Sequence, residues 1–153
     1  MNRKQFIIGC GLCLAGMPEW LAGCAGTRYA SVPIVGDSLV VLKDLFLVET
    51  TANPAVATGD NTEKKYRKYL VVHNDQLEYP ICVYRFSNGE YKALLMRCTH
   101  QGTELQVFGD RLQCPAHGSE FSNTGEVKNG PADTALRTFP VTVDGVNIKI
   151  RLS

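Results

Sequence analysis

Two short segments, each pairing a cysteine with a histidine, constrain this chain more than any other feature of its sequence. Knuckle 1 (residues 98–100) reads Cys-Thr-His, and knuckle 2 (residues 114–117) reads Cys-Pro-Ala-His. A thiolate and a neutral imidazole are side chains that hold iron or zinc tightly. The four candidate metal ligands are therefore Cys98, His100, Cys114 and His117. A shared metal centre requires a fold that brings these two loops together.

The segment between the knuckles predicts how they meet. It holds an apolar run at 105–108, the pair Gly109-Asp110, and a second short run at 111–113. Glycine and aspartate supply the backbone conformations that tight hairpin turns need. This pattern predicts a hairpin whose two open ends lie side by side, with one knuckle at each end.

The chain from Ser38 onward consists of short runs rich in Val, Ile, Tyr, Phe and Leu, separated by turn residues. Such runs predict strands and argue against long helices, and Asn88-Gly89 and Asp144-Gly145 predict two further hairpins. Residues 50–67 are polar and predict a long surface loop. We therefore expect an antiparallel all-β domain. Its predicted strands are 39–48, 68–73, 81–86, 91–96, 105–108, 111–113, 126–128, 137–143 and 146–152.

Composition excludes several classes of function. The 153 residues leave room for one domain, and 16 Lys plus Arg against 15 Asp plus Glu give a formal net charge of +1, which predicts no nucleic-acid partner. No Ser-His-Asp grouping, phosphate-binding glycine loop or pair of catalytic carboxylates is visible. A second iron site of two histidines and a carboxylate is also missing. We expect no substrate-transforming site on this chain alone.

The N-terminus predicts an export signal over residues 1–23. Arg3 and Lys4 precede a mostly apolar run at 6–17, which is shorter than the roughly 20 residues that span a bilayer. The segment 21–24, Leu-Ala-Gly-Cys, resembles a bacterial lipobox. The resemblance implies that Cys24 is lipidated and becomes the first residue of the mature protein. Residues 24–36 contain Gly, Thr, Ser and Pro and predict a tether.

Two further interpretations of the N-terminus stay open. Residues 3–7 resemble a weak twin-arginine export motif with lysine in the second arginine position. That export route carries proteins already folded around cofactors. An uncleaved signal anchor is the alternative to a lipid anchor. In either case we expect the domain on the periplasmic or cell-surface face of a bacterial membrane.

The metal remains to be chosen between zinc and iron. Structural zinc sites more often draw two cysteines from one knuckle, whereas here each knuckle carries one cysteine and one histidine. A disulfide between Cys98 and Cys114 is a third interpretation, but it leaves the repeated Cys-then-His pattern unexplained. Two cysteines on one iron and two histidines on the other is the ligand set of a Rieske centre. The knuckles thus resemble the Rieske-type 2Fe-2S family.

The resemblance extends beyond the ligands, over a cluster-binding part at about 93–135 of a domain predicted at 37–153. Residues 118–121, Gly-Ser-Glu-Phe, resemble the family's Gly-Ser-x-Tyr segment, and residues 130–132 resemble its proline loop. The implied fold is an antiparallel Rieske-like β-sandwich with a cluster-binding subdomain formed by the two knuckle loops. The implied ligands are Cys98 and Cys114 on the buried iron and His100 and His117 on the outer iron.

The residues around the implied cluster predict its redox properties. Gly118, Ser119, Phe121 and Pro131 occupy positions next to the ligands in the family's pattern. Ser119 matches a hydrogen-bond donor of the family, whereas Phe121 stands where high-potential members carry a tyrosine hydroxyl. We therefore expect a potential below that of the cytochrome bc-type members.

A second departure concerns the loops themselves. Cytochrome bc-type members carry two further cysteines that lock the knuckle loops with a disulfide, and here those positions hold Thr103 and Ala116. We expect no such bridge. The loops must then be held by packing and backbone hydrogen bonds.

The resemblance implies one-electron transfer by a Rieske 2Fe-2S cluster in an exported, membrane-tethered protein. Its expected partners are a donor and an acceptor redox protein, such as a cytochrome or an oxidoreductase subunit. One alternative is the Rieske subunit of a larger oxidoreductase, similar to arsenite oxidase or a quinol-oxidising complex. The other is a zinc-stabilised structural β domain.

Overall fold

The computed structural model describes residues 27–48 and 64–153, and thirteen short strands dominate it. One turn of 3-10 helix (Lys43–Phe46) interrupts them. The strands are β1 (Tyr29–Ser31), β2 (Ile34–Val35), β3 (Ser38–Leu42), β4 (Tyr69–His73), β5 (Ile81–Arg85), β6 (Tyr91–Leu95), β7 (Gln106–Phe108), β8 (Arg111–Gln113), β9 (Glu120–Ser122), β10 (Val127–Asn129), β11 (Thr138–Phe139), β12 (Val141–Asp144) and β13 (Asn147–Arg151).

The strands form three sheets. The central sheet has the order β1-β4-β5-β6-β11, the outer sheet β12-β13-β3-β2, and the knuckle sheet β10-β9-β8-β7. Every pair of neighbours is antiparallel except β1 with β4. The expected antiparallel all-β fold is therefore confirmed, and the two knuckles adjoin a separate four-stranded sheet.

Residues on opposite faces of the central sheet belong to two separate hydrophobic cores. On β5, Ile81 and Val83 belong to core 1, with residues of the outer sheet. The alternate residues Cys82 and Tyr84 belong to core 2, with residues of the knuckle sheet. Because successive side chains of a strand point to opposite faces, β5 must be apolar throughout. This explains why its sequence shows a continuous apolar run rather than an alternating one.

The three predicted hairpin turns are confirmed. They connect β5 to β6, β7 to β8, and β12 to β13. Their glycines Gly89, Gly109 and Gly145 have φ angles of 84°, 61° and 58°. Such angles are open to glycine because it has no Cβ.

Two predicted strands end or break earlier than expected. The strand predicted for 39–48 stops at Leu42, because its partner β13 begins at Asn147 opposite that residue. The chain then turns through the 3-10 helix and buries Phe46 completely. The strand predicted for 137–143 breaks at Pro140, which lacks the N–H that a ladder needs, so β11 and β12 lie in different sheets.

Two strands lie in the segment 24–36, for which the sequence predicts a tether. Strands β1 and β2 lie within it and pair with β4 and β3 respectively. The Asn74 side chain further donates to the Val32 carbonyl at 2.9 Å. Turn-forming residues surround these strands, so their backbone pairing was not visible in the composition. Strand β9, which pairs with β8 and β10, was also not predicted.

Several predictions lie outside the described residues: the export signal at 1–23, Cys24, and most of the loop predicted at 50–67. Tyr66 forms an isolated bridge with Leu47. Within 27–48 and 64–153, no helix combines the length and apolar character needed to cross a membrane.

Candidate metal centre

The loop of knuckle 1 begins where β6 ends and is closed by its own backbone. The Cys98 N–H donates to the Thr103 carbonyl at 2.8 Å, and the Gly102 N–H donates to the Cys98 carbonyl at 2.8 Å. Gly102 has a φ of 78°, a conformation that L side chains rarely adopt. The Thr99 hydroxyl ties this loop to the Thr134 carbonyl at 2.6 Å.

The loop of knuckle 2 repeats this pattern at the end of β8. The Cys114 N–H donates to the Ser119 carbonyl at 2.8 Å, and the Gly118 N–H donates to the Cys114 carbonyl at 3.0 Å. Gly118 has a φ of 79°. Because β7 and β8 form the predicted hairpin, with Gln106 opposite Gln113, both loops leave the knuckle sheet at the same end.

The two cysteines lie inside core 2. Cys98 is 1% and Cys114 2% exposed, and both carry free thiols, so the disulfide interpretation does not hold. Burial alone raises the pKa of Cys114. Hydrogen bonds from the backbone of His117 and Ala116, and from the side chains of Cys98 and Thr103, outweigh that burial, so the pKa lies below its ordinary value. A lowered pKa favours the thiolate, which is the form that binds metals.

The two histidines lie on the solvent side. Both His100 and His117 are exposed, and their ring centroids are 5.1 Å apart with the ring planes at 84°. The knuckles therefore present two buried sulfur atoms and two exposed imidazoles at one place in the molecule. This burial corresponds to the division between inner and outer ligands that the resemblance implies.

The donor set of the knuckles fits a two-iron centre. It consists of two cysteines, both buried, and two histidines, both exposed. A Rieske centre takes two cysteines at one iron and two histidines at the other. One cysteine and one histidine from each knuckle supply that set.

The proline loop is fastened to knuckle 2 by a buried serine. Ser119 is fully buried, and its Oγ accepts the Ala132 N–H at 3.0 Å. That bond uses an oxygen lone pair, so the hydroxyl hydrogen stays available to a neighbouring acceptor. Pro131, next to Ala132, is exposed. Phe121 is fully buried in core 2 and brings no hydroxyl to this region.

Two contacts near the ligands were not predicted from the sequence. The Thr103 side chain, from the loop of knuckle 1, helps to lower the pKa of Cys114 in knuckle 2. A Cβ on Gly102 would lie 3.3 Å from both Nε and Nη2 of Arg97. A signal for the shared loop geometry was present in the sequence, since each cysteine is followed four residues later by glycine and then by threonine or serine.

Comparisons with known proteins agree with this geometry. Residues 52–140 match the family model of the Rieske [2Fe-2S] domain. The cytochrome b6-f complex iron-sulfur subunit of a Synechococcus strain is 39% identical over 54 residues, which cover 34% of this chain and 31% of that subunit. The oxygenase component of chloroacetanilide N-alkylformylase from Rhizorhabdus wittichii is 32% identical over 79 residues, which cover 46% of this chain and 23% of that protein.

A solved structure is also similar. The cyanobacterial plasma membrane Rieske protein PetC3 from Synechocystis PCC 6803 is 32% identical with a TM-score of 0.49, and the match covers 55% of this chain and 86% of that one. The chain thus spans less than a third of the length of the two curated relatives described above.

Proposed function

Since this chain belongs to the Rieske [2Fe-2S] domain family, we propose that Cys98, His100, Cys114 and His117 hold the cluster of that family in an exported electron carrier. The family's cofactor, a Rieske 2Fe-2S cluster, supplies reversible one-electron transfer when bound. The observation that carries the assignment of the ligands is the pairing of two buried thiols with two exposed imidazoles 5.1 Å apart.

The buried cysteines and the exposed histidines have different roles in the proposed centre. Core 2 excludes water from Cys98 and Cys114, so hydrogen bonds from the surrounding backbone act on the sulfur atoms in a medium of low dielectric constant. The exposed His100 and His117 form the surface nearest the centre that a redox partner can contact. Electrons then enter and leave on the histidine side, with a redox protein as donor and another as acceptor.

We propose that the protein is located on the outer side of a bacterial membrane. Residues 1–23 act as the export signal, Cys24 carries a lipid, and a short linker leads to the domain. The charged, apolar and small-residue layout of the N-terminus and its Leu-Ala-Gly-Cys sequence support this proposal. Because β1 begins at Tyr29, the linker is shorter than the one predicted from composition.

A second candidate function is a Rieske subunit of a larger oxidoreductase. The resemblance to an iron-sulfur subunit of the cytochrome b6-f complex favours it. Purification from native membranes separates the two candidates. A carrier is recovered alone, whereas a subunit is recovered with stoichiometric partner chains.

Visible absorption and EPR of the purified protein test the metal centre. We expect a coloured protein with an EPR signal in the reduced state, both lost in Cys114→Ser and His117→Ala. Cys82→Ala is the matched control, because Cys82 is equally buried but lies on β5, away from the knuckles. A colourless protein that contains zinc would refute the proposal.

A further inference from the structure

A basic and aromatic surface lies away from the knuckles. Two adjoining grooves share Tyr66, Arg67 and Lys68 among their lining residues. Their cationic residues, which we call the basic face, are Arg28, Lys65, Arg67, Lys68 and Arg85. The Arg85 guanidinium lies 4.1 Å from the centre of the Tyr66 ring, and Tyr66 is 38% exposed.

The charge of the basic face is largely uncompensated among the described residues. Asp110 is the one carboxylate that lines the same grooves. It pairs with Lys68 at 3.1 Å, but the two side chains are 70% and 62% exposed, so water and salt weaken the pair. Five cations and one carboxylate leave an excess of four positive charges on a chain whose formal net charge is +1.

Thr27 and Arg28, which follow Cys24 closely in the chain, lie at this face. The Val71 N–H donates to the Arg28 carbonyl at 3.0 Å, and the Thr27 hydroxyl lies 3.4 Å from the hydroxyl of Tyr69. Cys24 precedes Thr27 by three residues, which span about 10 Å at full extension. That distance is close to the Debye length of ~8 Å at physiological salt. A lipid on Cys24 therefore holds the basic face within electrostatic range of the headgroups.

The strand register places the knuckles at the other end of the molecule. Arg85 is paired with Tyr91 at the start of β6, and Cys98 follows seven residues later, about 20 Å along an extended strand. The knuckle sheet points the same way, because Asp110 lies at the closed end of the hairpin and the knuckles at its open end. With the basic face on a membrane, the histidine side is directed away from it.

We propose that the basic face docks on anionic phospholipid headgroups and so orients the domain with His100 and His117 toward water-soluble redox partners. The proposal rests on the lipid anchor of the proposed function for the approach to the membrane. It adds the orientation, because a single flexible anchor alone leaves the domain free to rotate. The guanidinium and ammonium groups supply the attraction, and Tyr66 supplies an aromatic ring of the kind enriched at membrane interfaces.

Amine footprinting on vesicles tests the orientation. The full chain is expressed in a bacterial membrane and purified, and the mass of its N-terminal peptide shows whether Cys24 is lipidated. The protein is then placed on phosphatidylcholine vesicles with or without phosphatidylglycerol and acylated briefly. We expect Lys65 and Lys68 to react at least about threefold more slowly on anionic vesicles, with the difference lost in high salt. Lys128 and Lys149 are internal controls on strands outside the basic face.

Two matched double variants test whether the protection on anionic vesicles depends on the basic face or on exposed lysines anywhere in the protein. In Lys65→Glu with Lys68→Glu, we expect the neighbouring Lys64 to react equally on both kinds of vesicle. In Lys128→Glu with Lys149→Glu, Lys64 should keep its protection on anionic vesicles. Lys65, Lys68 and Lys128 are exposed, and Lys149 is half-buried. Unchanged visible absorption shows that each variant retains its fold and its centre.

The outcomes distinguish this proposal from the lipid anchor itself. Protection of Lys65 and Lys68 in protein whose Cys24 carries no lipid supports the basic face and refutes the anchor. Equal reactivity of all lysines in lipidated protein overturns the docking proposal and leaves the anchor standing. Protection in native membranes but not on anionic vesicles assigns the face to a protein partner, which also overturns the lipid assignment.

Discussion

Ser119 shows how one residue can hold the surroundings of the centre in place. Its Oγ accepts the Ala132 N–H, its backbone carbonyl accepts the Cys114 N–H, and its side chain is fully buried. A buried hydroxyl is stable only when it is hydrogen-bonded. Ser119 therefore connects knuckle 2 to the proline loop and keeps its hydroxyl hydrogen for an acceptor beside the ligands.

For Ser119→Ala we expect a lower midpoint potential and a less stable protein. The variant leaves the buried Ala132 N–H unsatisfied, at a cost of about 1–3 kcal/mol. Loss of a hydrogen bond that favours the reduced centre by ~1.4 kcal/mol lowers a one-electron potential by ~59 mV. Voltammetry and denaturant unfolding measure the two effects. Ser122→Ala is the control, since Ser122 Oγ accepts the Thr124 and Glu126 N–H groups away from the knuckles. Equal potentials in both variants would contradict the role of Ser119.

A substitution at Phe121 is expected to raise the potential, whereas Ser119→Ala is expected to lower it. Rieske potentials span about −150 to +300 mV, and the missing hydroxyl at this position predicts a value below about +250 mV for the native protein. In Phe121→Tyr, the added hydroxyl should raise the potential by roughly tens of millivolts, because high-potential members of the family carry a tyrosine hydroxyl at this position. Voltammetry near neutral pH measures both values. A native potential above that limit would show that Phe121 does not lower it.

The buried thiol of Cys82 should make the stability of the protein depend on pH in the alkaline range. Burial raises the pKa of Cys82, and burial together with the nearby Cys82 raises the pKa of Tyr84. Both groups are neutral when protonated. Their contribution to the free energy of unfolding is therefore complete below the pKa values that they have in the unfolded chain. That contribution is lost as pH rises above those values. We expect the free energy of unfolding to fall by about 1.4 kcal/mol per pH unit for Cys82 above about pH 8.5.

Denaturant unfolding between about pH 8 and pH 10 checks this slope. In Cys82→Ala the cysteine contribution is removed, so stability should fall less steeply over the same range. An identical slope in both proteins would show that Cys82 ionises as easily in the folded chain as in the unfolded one.

At the scale of the element, the two knuckle loops are the same backbone turn used twice. Each is closed by a cysteine N–H, a cysteine carbonyl and a glycine with a φ near +79°. The loops differ in their surroundings. Gly102 is packed against the Arg97 side chain, whereas a Cβ on Gly118 would meet nothing within 4 Å.

The two glycines form a matched pair for mutation. Gly118→Ala introduces the strain of a left-handed backbone, about 1–2 kcal/mol. Gly102→Ala introduces the same strain, and its Cβ lies 3.3 Å from the guanidinium of Arg97, an exposed side chain that can shift at little cost. We therefore expect similar losses of stability in the two variants. Denaturant unfolding measures both losses. A much larger loss in Gly102→Ala that Arg97→Ala relieves would show that the guanidinium cannot move aside.

At the scale of the whole molecule, the central sheet separates two hydrophobic cores, of which only one contains the sulfur ligands. Core 1 joins it to the outer sheet, and core 2 joins it to the knuckle sheet and contains both Cys98 and Cys114. Residues of β4, β5 and β6 contribute to both cores. A change in either core therefore lowers the stability of the whole domain, but only core 2 surrounds the sulfur ligands.

This division predicts different outcomes for two buried residues. Ile148 lies in core 1 and Leu112 in core 2, and each is fully buried. Ile148→Ala and Leu112→Ala should each lower the free energy of unfolding by about 2–5 kcal/mol. Only Leu112→Ala should also speed the loss of visible absorption under chelator, because it loosens packing behind the sulfurs. Equal rates of loss would show that the two cores act as one.

Local chemistry in the sequence was enough to predict much of this protein. The Cys and His pairs, the hairpin between them and the turns at Gly89, Gly109 and Gly145 depend on residues close together in the chain. The all-β class follows from the same short runs. These features are readable because metal-ligand chemistry and turn geometry are properties of neighbouring residues.

Tertiary structure decided what depends on distant partners. Strands β1 and β2 exist because β4 and β3 offer backbone partners, and β3 ends at Leu42 because β13 begins opposite it. The burial of two thiols beside two exposed imidazoles results from core 2, which draws residues from both the central and the knuckle sheets. The location of the basic face beside the N-terminal end of the domain and away from the knuckles follows from strand register. Register is set by pairing and burial across the whole chain, so no local pattern reveals it.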